Sequence, residues 1–181
     1  MSNLSTATPV LLLPDAGPLI TLAYADALEV LHMPGWALAI VDMVLHELTR
    51  NTTPTSQKLA SWIEAQEKSN NLQIITTKTY VHYQQIASAT TTSKSNLGEI
   101  AIQEAMNAFA ISDPPRTGVF LFEDHKIART SFLLPDNCRK VSTRAFLIFL
   151  EQKGWITSAA EIERIAIQNG RNFSQLRFPP G

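Results

Sequence analysis

The chain has 181 residues, a length suited to one domain that can bury a core without help from metals or disulfides. Hydrophobic residues make up 45% and charged residues only 17%, so Ser, Thr, Asn and Gln must carry much of the polar surface. With 15 basic against 16 acidic residues and a net charge of −1, no overall basic field points to nucleic acid, and the lone Cys138 excludes an intramolecular disulfide or a cysteine-built zinc site.

The four histidines (His32, His46, His82, His125) show no paired metal-ligand spacing. The opening MSNLSTATP lacks the basic flank of a secretory leader. The longest apolar run, AFLIFL at 145–150, is far shorter than the ~18–20 residues of a membrane span. A cytoplasmic protein without membrane association is expected.

In chain order, residues 10–13 (VLLL) form a continuous apolar run closed by Pro14–Asp15, which predicts a buried strand. Residues 18–31 have helical spacing, with Pro18 in the first turn and a break at Ala25–Asp26. After the Pro34–Gly35 turn, 37–41 (ALAIV) predicts a second buried strand, and Asp42 an N-cap for the helix carrying Met43, Val44, Leu45 and Leu48. Residues 51–56 read as a turn, 58–68 as a helix, and 72–76 (LQIIT) as an edge strand. The polar stretch 77–95 predicts only a short helix at 81–87. Ser95 or Asn96 caps a helix over 97–111, with Leu97, Ile100, Ala101, Ala105, Ala108 and Phe109 on its apolar side, stopped by Asp113–Pro114–Pro115. A fourth strand at 118–122 (GVFLF), a helix at 126–132 and a short fifth strand at 139–141 follow. Thr143 then caps a helix at 144–153 that is apolar on nearly all sides, Gly154 ends it, and Ser158 caps a last helix at 159–169 before a surface tail.

Strands that alternate with helices and are uniformly apolar indicate parallel strands covered on both faces, an α/β three-layer sandwich of about five strands. No repeat or long linker divides it. A single domain over 1–181 is expected, with its core at about 10–153 and a C-terminal helix and tail at 158–181.

Four acids stand out by position. Asp15 and Asp124 follow the first and fourth strands, while Glu47 and Glu99 lie early in helices. In a parallel sheet, strand C-termini and helix N-termini share one edge, so all four belong there; were strands one and four neighbours, Asp15 and Asp124 would flank the crevice where strand order reverses. Two carboxylates at ~5 Å and an effective dielectric of ~20 repel by roughly 3 kcal/mol, which protons or cations must offset. An all-oxygen set suits Mg²⁺ or Mn²⁺. Of the other acids, Asp42 reads as a cap, Glu104 as solvated, and Glu123 as a neighbour that supports Asp124 or extends the ligand set. His125 reads as a surface residue.

Four segments carry a family resemblance: VLLLPDAGPLITLA, IVDMVLHELTR, NLGEIAIQEA and VFLFEDHKIAR, in that order. They resemble the strand, helix and acid segments of PIN-domain proteins, with Gly98–Glu99 opening the third segment as in their prokaryotic toxin-like (VapC-like) branch. The resemblance spans 10 to about 150. It implies strand order 3-2-1-4-5 and a catalytic, metal-binding quartet of Asp15, Glu47, Glu99 and Asp124 holding Mg²⁺ or Mn²⁺. Glu99 stands where many members have Asp, and their frequent acid pair at the last strand is Glu123–Asp124 here. The implied activity is metal-dependent endoribonuclease, as in toxins of type II toxin–antitoxin pairs, acting on single-stranded or structured RNA. A cognate antitoxin and a homodimer are the implied partners. Glu123 and Thr143 would support the ligands, and Arg50, Lys126 and Arg129 would contact phosphates.

Two other readings compete. A phosphatase of the haloacid-dehalogenase type needs a second Asp two residues after the first, where this chain has Gly17. A catalytically degenerate PIN domain would bind RNA or a protein without cutting.

Overall fold

The computed structural model describes residues 9–87, 97–111, 116–123 and 134–172, and each of the five predicted strands is present in it. They are β1 (Val10–Pro14), β2 (Ala37–Val41), β3 (Leu72–Ile75), β4 (Thr117–Phe122) and β5 (Cys138–Ser142). All pair in parallel, in the order β3-β2-β1-β4-β5. At the centre, Leu12 pairs with Leu38 of β2 on one side and Val119 of β4 on the other. Consecutive residues of β1, β2 and β4 are buried, which requires helices on both faces. The result is the expected three-layer α/β sandwich, with β3 at an edge. β5 is longer than the three residues expected because its ladder with β4 runs on to Phe122 and Ser142.

The flanking helices are α1 (Ala16–Tyr24), α2 (Asp42–Thr49), α3 (Pro54–Lys68), α4 (Lys78–Ala87), α5 (Leu97–Ala110), α6 (Thr143–Gln152) and α7 (Ala159–Gln168). A 3-10 turn, Leu28–His32, follows the expected break after α1, where Asp26 takes a positive φ. One hydrophobic cluster joins the sheet to the helices, with Phe120, Phe122, Phe146 and Leu12 among its largest fully buried members. Among the described residues, no helix is long and apolar enough to cross a membrane.

Several local expectations need correction. α3 starts at Pro54, not 58, because Thr53 and Ser56 form a reciprocal capping box with Pro54 at the first helical position. α4 starts at Lys78 instead of 81, its first turn anchored by the Thr77 hydroxyl, which accepts the Tyr80 N–H at 3.2 Å. In α5, Ile100 and Ala108 face outward, and the buried stripe is Gly98, Ala101, Ile102, Ala105, Met106 and Phe109. α6 buries one face only, through Phe146, Leu147 and Leu150, and leaves Ile148 exposed. Its N-cap is Ser142, which accepts the Ala145 N–H, and not Thr143. Ser158 does cap α7, and Gly154 supplies the left-handed residue after α6. The helix expected at 126–132, the cap at Ser95 or Asn96, the stop at 113–115 and the tail from 173 lie outside the described residues.

Candidate functional site

The chain adds β2 and β3 on one side of β1, then crosses to place β4 and β5 on the other. Strand order therefore reverses between β1 and β4, and ligands of open α/β sheets bind beyond the strand C-termini at such a point. Asp15 sits there, directly after β1. Its N–H donates to the Leu121 carbonyl at 2.8 Å, extending the β1–β4 ladder by one bond and pinning the residue to β4. Asp15 occupies the N-cap position of α1, yet its side chain makes no capping bond, and the residue is fully buried. The common structural duty of an Asp after a strand is thus not what holds this one in place.

Glu47 reaches the start of α5, the helix whose first turn carries Glu99. Glu47, half-buried on α2, accepts the Gly98 backbone N–H at 3.2 Å through Oε1, across 51 residues of sequence. The approach depends on the absence of a side chain at 98. A Cβ there would lie 2.8 and 3.0 Å from the two Glu47 carboxylate oxygens, inside normal contact. Glu99 follows in the first turn of the same helix, half-buried. The unpaired N–H groups and dipole of a helix start favour negative charge, so α5 steadies both carboxylates.

Other acids prove to be ties between elements. Asp42 is buried in the first turn of α2, with Val41 at the N-cap position, so it is not the expected cap. It accepts the Thr77 N–H at 2.8 Å and the Thr77 hydroxyl at 2.7 Å, locking the exit of β2 to the exit of β3. Glu104 is partly exposed, and it also ties two helices together. It accepts the N–H groups of Lys78 (2.7 Å) and Thr79 (3.0 Å) and the Thr79 hydroxyl, closing the start of α4 from α5. Burial alone would raise the Glu104 carboxyl; those donors and the Lys78 charge outweigh it and hold the group below its usual range. Buried Glu123 accepts the Thr21 hydroxyl at 2.7 Å and lies 3.7 Å from the Arg171 guanidinium. Thr143, also buried, donates its hydroxyl to the Phe122 carbonyl at 3.2 Å, beside the end of β4. Burial pushes the Cys138 thiol up, away from any thiolate role.

Sequence reasoning missed Thr21, Thr77 and Arg171, whose partners are distant in the chain and leave no local pattern. Arg50 is exposed at the C-cap of α2, one turn beyond Glu47. Asp124, Lys126 and Arg129 lie outside the described residues.

For a hard divalent cation the donor chemistry fits. The three described candidates offer carboxylate oxygen only, one of them fully buried at the switch point and another seated where a Cβ would intrude. Among the described residues, no three His, Cys, Asp or Glu side chains group closely enough to hold a metal. No family model and no curated protein matches the chain.

Proposed function

We propose that the chain is a divalent-metal-dependent endoribonuclease of the PIN type, acting as the toxin of a type II toxin–antitoxin pair. The observation that carries the reading is the seating of Glu47 on the Gly98 N–H. It carries Glu47 to the helix start that bears Glu99, and Asp15 is buried directly after β1. Mg²⁺ or Mn²⁺ would be held by Asp15, Glu47, Glu99 and Asp124. When bound, such an ion lowers the pKa of a coordinated water and neutralises charge on the scissile phosphate.

The chain's own residues supply rigidity and charge. Asp15 is fixed by its backbone bond to Leu121, so its carboxylate needs little ordering when substrate arrives. Glu47 and Glu99 concentrate negative charge at a position where α5 tolerates it. Arg50, exposed near Glu47, is available to a phosphate of the RNA backbone. Hydrolysis by this arrangement needs no side-chain nucleophile. A cognate antitoxin and a second copy of the chain are the protein partners that go with the reading.

One observation favours a second reading, a non-cutting module that binds RNA or protein: the absence of a grouped metal-ligand set among the described residues. A Mn²⁺-titrated cleavage assay on labelled single-stranded RNA separates the two. The nuclease reading expects cleavage that EDTA stops and that Asp15→Asn and Glu47→Gln abolish. RNA retained in a gel shift, uncut at millimolar Mn²⁺ and equally by both variants, would establish the binding module instead.

A further inference from the structure

Glu123 is the residue directly after β4, and among the described residues it is the one carboxylate besides Asp15 and Asp42 that is buried. A charge in that position needs a counter-charge. It comes from beyond the sandwich core, from Arg171, three residues after α7. The Arg171 backbone N–H donates to Ala166, folding the segment back toward α1, and Asn169 adds a bond from its amide to the Tyr24 carbonyl at 2.7 Å. The guanidinium then reaches Glu123, Gly17 and Thr21. Nη2 lies 3.7 Å from Glu123 Oε1 and 3.4 Å from the Gly17 carbonyl, and Nε donates to the Thr21 hydroxyl at 2.9 Å. The Thr21 hydroxyl in turn donates a hydrogen bond to Glu123 Oε1 at 2.7 Å.

Gly17 and Thr21 belong to α1, the helix that Asp15 begins. A Cβ at 17 would lie 2.5 Å from Glu123 Cγ, so Glu123 packs on bare backbone two residues from Asp15. One cation thus stitches the exit of β4, the first turns of α1 and the segment after α7. We propose that Arg171 is a positioning residue: it neutralises Glu123, which keeps that carboxylate out of any cation-binding set, and it holds the α1 turn that bears Asp15 against the end of β4. The geometric role stands by itself; its consequence for metal binding rests on the nuclease reading.

The test compares wild type with Arg171→Met, Glu123→Gln and the double variant, by thermal melting, amide hydrogen exchange and Mn²⁺ titration. Arg171→Met strands a buried carboxylate and should lower Tm by about 6–12 °C, and adding Glu123→Gln should recover at least half of it. In Arg171→Met the Asp15 amide should exchange roughly tenfold faster relative to amides of β2 and β3, which a merely global loss of stability would not produce. Mn²⁺ affinity should fall roughly tenfold and return in the double variant. Should Arg171→Met not fold, Arg171→Lys keeps the charge without the fork and should show the same selective loss at Asp15. Asp15 exchange that only tracks β2 and β3, or a double variant as unstable as the two single losses combined, overturns the proposal. Wild-type protein that binds no Mn²⁺ while Asp15 opens selectively in the variant removes the metal reading and leaves the positioning role standing.

Discussion

Gly98→Ala isolates the seating of Glu47 from the stability of the fold. The new Cβ would meet Glu47 Oε1 at 2.8 Å, whereas ordinary contact begins at 3.4 Å, so the carboxylate must retreat by about 0.6 Å. The atom in the way is the mobile tip of a long side chain, and no backbone has to move. The retreat stretches the 3.2 Å bond from the Gly98 N–H beyond hydrogen-bonding range. Losing one hydrogen bond to a half-buried carboxylate costs about 1–1.5 kcal/mol. Alanine returns at most about 0.5 kcal/mol through helix propensity, since position 98 lies in the first turn of α5 and not in its interior. The net loss of stability is about 0.5–1.5 kcal/mol, or about 1–6 °C in Tm for a chain of this size. Activity should respond far more strongly, because a displacement approaching 1 Å at a reacting group costs up to about 100-fold. The assay is initial-rate cleavage of a fluorescent RNA at saturating Mn²⁺, alongside Glu47→Gln. Cleavage at the wild-type rate in Gly98→Ala would refute the assignment of Glu47 as a ligand seated on α5. A fall in Tm beyond about 6 °C would instead refute the claim that only the carboxylate tip yields.

Asp15→Asn should keep the fold, with Tm unchanged or slightly raised because an amide retains the shape and removes carboxylate repulsion, while Mn²⁺-dependent cleavage falls by ~100-fold or more. Asp42→Ala removes both bonds to Thr77 and leaves buried donors unmet; chemical denaturation should show a loss of about 3 kcal/mol. Glu104→Gln tests the tie between α4 and α5 by pH. The folded carboxyl titrates below its ordinary value of about 4.3, so its stabilisation is fully present above that value and is lost as pH falls through the lower, folded one. Urea midpoints of wild type and variant should therefore differ at pH 6 and converge at strongly acid pH; a constant difference would show that the charge of Glu104 is not what its partners recognise.

The parallel sandwich was legible in the sequence because burial of both sheet faces leaves a local mark. Runs such as VLLL, ALAIV and GVFLF are apolar at every position, and no alternating pattern competes with them. Chain direction in a βα unit fixes which end of each element faces a given sheet edge, and that is the reason the sequence assigns Asp15, Glu47 and Glu99 to one edge. Strand order was accessible only through family resemblance, because pairing between β1 and β4 joins residues more than a hundred positions apart. What each acid does was decided by tertiary structure alone. Nothing in the local sequence of Asp42, Glu104 or Glu123 announces the donors that folding delivers to each: Thr77 at 35 residues' distance, Thr79 at 25, Thr21 at 102. Buried and half-buried carboxylates need hydrogen-bond donors, and when those donors lie far along the chain only the closed fold supplies them.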